Sequence, residues 1–323
     1  MDPVPCWPGE KMRRSARMSR QYAIYDVFTA DRLSGNPLAV VFDAEGLDDD
    51  VMQKIAGEFN LSETVFILPP TKPAHGASLR IFTPRSELPF AGHPTVGAAI
   101  ALAERKAGAG DANIDVMNVL EEKVGSVRTV TKLQTGKPGF AEFDLPRLAT
   151  QIDADLSRET IAAALQIDVL EIGFENHRIS LWNAGVPYVM VPVHDLSAAA
   201  KVRCDASLWE QLAPIVDGQL ADAFVYCRDG VAHDAQFHAR MFAPHAGIIE
   251  DPATGSAVAA FSGAIHLYDD LLDGHHAFLI EQGVEMGRPS RIHLHLDVED
   301  GKIDQARIGG HAVKLAEGTL LIR

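Results

Sequence analysis

Cysteine is scarce. Cys6, Cys204 and Cys227 are the only three in 323 residues, and no two of them have C-x-x-C spacing. An odd, sparse set of this kind excludes a disulfide framework or a zinc site and points to reduced thiols in the cytoplasm. Long apolar runs are missing as well: none approaches the roughly 20 residues that a membrane-spanning helix needs. Basic residues are outnumbered, 29 Lys and Arg against 44 Asp and Glu, giving a formal charge of −15 and a pI near 5.2. That balance argues against a nucleic-acid or anionic-membrane surface, and an anionic substrate would have to be attracted locally. Neither a GxGxxG run nor a Walker loop occurs, so no nucleotide cofactor is implied. What remains is ordinary for a globular protein, with 47% hydrophobic and 23% charged residues, and the length allows two domains with real cores.

Within that frame one stretch stands out, EDPATGSAVAAFSGAIH from Glu250 to His266. The carboxylates Glu250 and Asp251 lead through Pro252 to a small-residue turn, Thr254-Gly255-Ser256. Ala257, Val258, Ala259, Ala260, Phe261, Ala264, Ile265 and Leu267 then make a helix with no polar face, which is a buried helix. Its first turn leaves N–H groups unpaired at the positive end of the dipole, which suits an anion. The stretch alone equally allows a second reading, in which Asp251 and Ser256 simply cap a core helix.

The chain carries this arrangement twice. Arg-apolar-Phe-small-Pro occurs from Arg80 to Pro84 and again from Arg240 to Pro244. Each is followed by a loop with an acidic residue, Glu87 or Asp251, and by a glycine, Gly92 or Gly255, that opens an apolar small-residue helix. Upstream, the run Gly35-Asn36-Pro37 has its counterpart in Gly185-Val186-Pro187. A unit well over a hundred residues long is too large for a solenoid and fits two similar domains. Their central helices are expected from Pro94 to about Ala107 and from Ser256 to about Leu267, with both N-termini facing one cleft.

The first 20 residues differ from the rest, with three prolines, Trp7 and five basic residues but no apolar signal core. They are expected to be a disordered leader, with Met18 a plausible start. Strands are expected at Tyr22–Phe28, Leu38–Phe42, Thr64–Leu68 and Leu79–Phe82, with a helix capped by Asp48 between the second and third. Short strands and turns follow from Ile114 to about Phe143. In the second half, Ser157 is expected to cap a helix to Leu165, and Ser207 with Glu210 to form a capping box. Strands are expected at Ile179–Leu181, Tyr188–Val191, Ala223–Cys227, Gln236–Phe242, Phe278–Gln282 and Arg291–Leu296, then at Ala306–Ile308, Ala312–Ala316 and Leu320–Ile322. Many short strands around a few buried helices make an α+β protein, and a doubly wound sheet is not expected.

The runs VFTADRLSGNPLAVVF, NLSETVF, RIFTPRSELPFAGHPTVGA, EDPATGSA and GVEMGRPS, in this order, resemble the phenazine-biosynthesis PhzF-like family from Tyr22 to Arg323. The resemblance implies the diaminopimelate-epimerase fold, in which two pseudo-symmetric domains each wrap a curled mixed sheet around a central buried helix. On this basis residues 21–130 with about 310–323 form the first domain, and 131–309 the second. It also implies site residues. Glu63 matches the family's catalytic, proton-shuttling glutamate, His93 the active-site histidine, Asp251 a second carboxylate and Ser256 the hydroxyl beside it. Gly92, Gly255 and Ser256 would offer backbone N–H groups to a substrate carboxylate.

These residue types suit the chemistry. Moving a proton between carbons needs one base that stays nearby and returns it, and a carboxylate with a raised pKa does so. The two-cysteine epimerases of the wider fold carry a thiol before each helix-opening glycine; here Ala91 and Thr254 stand there, which excludes a two-thiol mechanism. His293 and His295, on one strand face, lack an acidic or cysteine partner at ligand spacing, so solvent-facing histidines are expected and no metal site is assigned. His275-His276 reads as a loop, and Gly287 to Ser290 as a turn with packing roles. The function implied is a cofactor-independent isomerase acting on a small carboxylated amine, such as trans-2,3-dihydro-3-hydroxyanthranilate. The alternatives are a non-catalytic scaffold of the same fold or an isomerase for another small amino acid-like substrate. A cytoplasmic homodimer, without nucleic-acid or membrane partners, goes with the resemblance.

Overall fold

The computed structural model describes residues 19–108 and 113–322. The leader lies outside them except for Ser19 and Arg20, which open strand β1 (Ser19–Val27). β1 and β2 (Asn36–Val41) form an antiparallel hairpin, and helix α1 (Asp49–Phe59) leads to β3 (Glu63–Leu68), which runs parallel to β2. β4 (Ala77–Phe82) returns antiparallel to β3, and the short β5 (Glu87–Leu88) doubles back along it. Helix α2 (Gly92–Ala107) then crosses to β6 (Ile114–Glu122), parallel to β4. β7 (Gly125–Leu133) and β8 (Gly139–Asp144) follow antiparallel.

The second half opens with β9 (Thr150–Ile152), α3 (Arg158–Leu165) and the hairpin β10 (Ser180–Asn183) and β11 (Pro187–Pro192). Helices α4 (Leu196–Lys201) and α5 (Ala206–Leu212) and the ribbon β12 (Ile215–Val216) and β13 (Gln219–Leu220) lead to β14 (Asp222–Arg228), parallel to β11. β15 (Phe237–Ala243) pairs antiparallel with β14, and β16 (Ile248–Asp251) doubles back along it. Helix α6 (Gly255–Tyr268) crosses to β17 (Gly274–Gln282), parallel to β15. β18 (Ser290–Glu299) and β19 (Lys302–Leu321) finish the chain.

From β10 to β18 the pairings thus repeat those from β1 to β7. The last strand is shared: β19 pairs with β18, with β8 and with β1. With both β8 and β1 on β19, the strands β1-β2-β3-β4-β6-β7-β8-β19 close into an eight-stranded barrel. The fold is therefore a mixed one of strands and helices. α2 packs against seven of those strands and is buried without interruption from Gly92 to Ala101. Small residues let it fit: a Cβ on Gly97 would lie 2.5 Å from Leu38 and 2.9 Å from Val27. α6 packs in the same manner against β9, β10, β11, β18 and β19.

Strand alternation sorts the side chains into an inner and an outer layer. In β3, Val65 and Ile67 face the α2 core, while Phe66 joins Met52, Ile55 and Ala56 of α1 outside. In β14, Phe224 and Tyr226 face the α6 core, while Ala223, Val225 and Cys227 face the α3, α4 and α5 layer. By the same alternation Glu63 and Asp222, the first residues of β3 and β14, open the inner faces of their strands.

Several expectations are corrected. α2 starts at Gly92, so Pro94 is its third residue; the missing N–H is tolerated there because the first intrahelical bond is Thr95 N–H to Ala91 O. α5 is capped by Asp205, which accepts from Leu208 N–H, so Ser207 and Glu210 form no capping box. In 114–144, β6 and β7 are nine-residue strands and only β8, at six residues, is short, and the three short strands expected from Ala306 onwards are one 20-residue strand, β19. Gly309 and Gly310 lie inside it without breaking it; a Cβ on Gly310 would meet the Phe28 ring at 2.4 Å. His275 and His276 belong to β17, and His295 is hydrogen-bonded to His275 rather than simply facing solvent. His293 packs edge-on against Phe140.

Candidate active site

The two inner helices meet at their N-termini. A Cβ on Gly92 would lie 2.9 Å from Gly255 Cα, and one on Gly255 would lie 3.0 Å from Gly92 Cα, so only glycine permits this approach. Neither helix has a side-chain cap: the N-cap residues are Ala91 and Thr254, and no side chain bonds the free N–H groups. The reading of Asp251 and Ser256 as caps is thereby set aside. The unpaired donors are the amides of Gly92 and His93 on α2 and of Gly255, Ser256 and Ala257 on α6. Together they form a concentration of positive dipole at one point.

Around that point stand the acids. Glu63 comes from the start of β3, and its Oε2 lies 3.2 Å from His93 Nε2 on α2. The two are close but not aligned, and neither atom has a hydrogen-bond partner. Asp251, at the end of β16, accepts from Thr254 Oγ1 at 2.5 Å and from Asn36 Nδ2 at 3.0 Å. Gln282 completes the cradle, donating to Asp251 O at 2.7 Å and to Thr254 Oγ1 at 3.0 Å while accepting from Thr254 N–H. Ser256 Oγ pairs with Tyr188 Oη at 2.7 Å. Glu63, His93 and Asp251 are 9%, 4% and 6% exposed, so the site is closed to solvent in this conformation. A cavity of about 360 Å³ lined by Tyr25, Phe42, Ala101 and Glu104 opens instead at the opposite end of α2 and holds none of these groups.

All six residues singled out in the sequence thus gather at one place. Asn36, Tyr188, Asp222, Thr254 and Gln282 were missed. Asn36 and Thr254 lie within quoted motifs, and Tyr188 follows the repeated Gly-x-Pro turn, so a signal existed for these three. Gln282 and Asp222 gave none, because only strand register brings them here. Register also corrects one pairing of the repeat. Arg80 grips Glu87 through both Nε and Nη2, and Arg240 grips Glu250 in the same way, so the counterpart of Glu87 is Glu250 and not Asp251.

The sequence matches the Phenazine biosynthesis-like protein family, PhzC-PhzF, over residues 25–318. It is 54% identical over 305 residues to an uncharacterized isomerase of Mesorhizobium japonicum, covering 94% of this chain and 99% of that protein. The chain belongs to the PhzC-PhzF family. A trans-2,3-dihydro-3-hydroxyanthranilate isomerase of Pseudomonas aeruginosa is 33% identical, covering 92% of this chain and 98% of its own. The crystal structure of a PhzF-family phenazine biosynthesis protein of Bacillus anthracis superposes with a TM-score of 0.82 at 27% identity, covering 94% of this chain and 100% of that one. This PhzC-PhzF protein is an enzyme of the isomerase class.

Burial sets the protonation states in the PhzC-PhzF site. Desolvation raises Glu63 well above the usual carboxylate range, and the charge of Asp251 adds to the effect. Asp251 is raised to about 6, again mainly by burial, while its bonds from Thr254 and Asn36 act in the opposite direction. Asp251 has two side-chain donors and Glu63 has none, so the proton the two acids share near neutral pH resides on Glu63. Burial lowers His93 to about 3, which keeps its imidazole neutral. Among the described residues, Glu175, His177 and Asp269 offer ligand atoms within 4.8 Å of one another, but Arg228 already bonds both Asp269 and Glu175 there. That cluster is an ion-pair network with its cation built in.

A further buried acid lies behind α2. Glu122 ends β6 where Gln282 ends β17, and it accepts from Thr95 Oγ1 at 2.8 Å while its Oε2 has no partner. Burial raises it to about 8. The unfolded chain gives up this proton first, so stability falls as pH rises from the ordinary glutamate range to about 8. Glu122→Gln, which copies its counterpart Gln282 and keeps the acceptor for Thr95, should remove that loss. At pH 8 the variant is expected to be more stable by on the order of 2–4 kcal/mol, with the gap closing towards pH 4.5. Urea titrations across that range check this; equal stability at pH 8 would contradict it.

Proposed function

We propose that this protein moves a proton between two carbons of a small carboxylated amine, without a cofactor, with Glu63 as the carrier. The observation that supports this most directly is the pair of buried, unpartnered atoms Glu63 Oε2 and His93 Nε2, 3.2 Å apart beside two uncapped helix starts. Buried polar atoms left unpaired in a native fold await a ligand. The substrate carboxylate sits on the free amides of the two helices. Ionised Asp251 holds the amine, and neutral His93 donates or accepts one hydrogen bond to orient the ring. In the fraction of enzyme whose Glu63 has released its own proton to solvent, the carboxylate takes a proton from one carbon as its C–H electrons enter the adjacent π-system. The resulting carboxyl returns the proton to a second carbon, so the double bonds shift with no net change in atoms or electrons.

The relative from Pseudomonas aeruginosa suggests trans-2,3-dihydro-3-hydroxyanthranilate as the compound to test. In the same reading each inner helix with its strands is one of two pseudo-symmetric domains, 21–130 with about 310–323 and 131–309, and the active form is a cytoplasmic homodimer. The repeated pairing order supports a division into two similar halves, with β7 and β8 pairing in the barrel of the first half as far as Asp144, beyond the boundary at residue 130. The test is conversion of the dihydro acid in D2O, where proton return by a single carrier gives product that keeps substrate hydrogen at the receiving carbon except where the Glu63 carboxyl has exchanged with solvent first. Thiol-blocking reagents and chelators are expected to leave the rate unchanged, since Cys227 is buried on β14, away from the helix starts. Activity lost to a chelator and restored by metal would overturn the assignment of the proton carrier.

A further inference from the structure

The second half of the molecule contains an acid that this chemistry does not use. Asp222 opens β14 as Glu63 opens β3, and register makes the correspondence firm: Tyr188 pairs with Asp222 as Leu38 pairs with Glu63. Parallel partners in register share a face, so Asp222 shares the inner face with Tyr188, whose hydroxyl reaches Ser256 on the first turn of α6. Asp222 is 7% exposed, and its Oδ1 lies 3.2 Å from Nδ1 of His245 without the alignment of a hydrogen bond, leaving that oxygen unpartnered. His245 sits on the turn Pro244–Ala246 and is partly open to solvent.

The two halves differ in what faces the acid. Glu63 meets a helix-borne histidine, His93; the corresponding position on α6 is Ser256, already held by Tyr188, so Asp222 meets a loop-borne histidine instead. The charges and titratable groups around this pair are Tyr188, Asp251, Cys204 and His245 about Asp222, with Glu210 of α5 near His245. No lysine or arginine pairs with Asp222 among the described residues. A buried acceptor oxygen with no aligned donor, at the strand position equivalent to that of Glu63 and close enough to act on Tyr188 and Asp251, is suited to a donor brought in by a ligand.

We propose that Asp222, with His245 as its charge partner, is a specificity-determining wall of the same cleft and receives a hydrogen-bond-donating substituent of the bound acid. The proposal rests on the function given above. A hydrogen bond to a buried charged group favours the ligand that makes it by about tenfold or more over one that does not, because the acceptor is otherwise left unpaired.

The test is calorimetric binding of three stable aromatic acids: 3-hydroxyanthranilate, anthranilate without the hydroxyl, and 3-hydroxybenzoate without the amine. Wild type is expected to bind the first at least about tenfold more tightly than one of the others. Asp222→Asn should bring that ratio within about twofold while the shared carboxylate still binds, and His245→Gln should shift it in the same direction by less. Should Asp222→Asn lose its fold, His245→Gln on its open turn carries the test alone. Asp222→Asn with wild-type discrimination, or wild type binding all three equally, overturns the proposal and leaves the isomerase reading intact. Wild type binding none of the three overturns both.

Discussion

Glu63→Gln is expected to lower turnover by about 10²–10⁴-fold while substrate affinity stays within a few-fold. The amide matches the carboxylate in shape but has no oxygen that titrates, so the substrate binds and the proton has no carrier. Burial and the neighbouring Asp251 hold Glu63 well above the usual carboxylate range, and this fixes the pH dependence. Glu63 must be ionised to take the proton, so kcat/KM should fall as pH drops through that raised pKa, with the acid limb at higher pH than an ordinary glutamate would give. Asp251→Ala separates the proposed roles: it removes the carboxylate assigned in the proposal to hold the substrate and should weaken both affinity and turnover. Rates, affinities and deuterium uptake for each variant decide the matter. Near-normal turnover in Glu63→Gln would place the proton carrier elsewhere.

Arg240→Leu is expected to destabilise the fold by about 3–5 kcal/mol, whereas Arg80→Leu, at the equivalent place in the repeat, should cost about 1 kcal/mol. Both arginines grip a glutamate through two bonds, and burial separates them. The Arg240 side chain is 4% exposed, bonds Glu250 at 2.8 Å through both Nε and Nη2, and also donates to the Ala199 and Val202 carbonyls that end α4. Removing it leaves a largely buried carboxylate and two carbonyls without their donor. Arg80 is 22% exposed and shares Glu87 with Lys123, so Glu87 keeps a cation when Arg80 is lost. Urea denaturation of the two variants checks the difference. Equal losses would mean that the shared motif, and not its burial, sets the energy.

Much of this could be read along the chain. Helix α1 followed from Asp48 and an apolar stripe at Val51, Met52, Ile55, Ala56 and Phe59, because cap and periodicity are local properties. The buried character of α2 and α6 followed from runs without a polar face, and the six site residues followed from motifs whose order resembled a known family. The repeat was visible because Arg80 to Pro84 and Arg240 to Pro244 carry the same pattern of residue types in the same order.

Long-range placement was not legible. That α2 packs against seven strands of one closed barrel depends on β19 pairing with both β1 and β8, contacts between residues far apart in the chain. The single 20-residue strand β19 looked like three pieces because Gly309 and Gly310 weaken strand propensity locally, while pairing on both sides sustains it. Asn36 and Gln282 join the Asp251 cradle from positions 215 and 31 residues away. The raised acids Glu63 and Asp251 depend on burial that neither flanking sequence specifies. Sequence determined most of the elements and named the candidate groups; the tertiary structure decided which of them meet, because register and desolvation are properties of the packed chain.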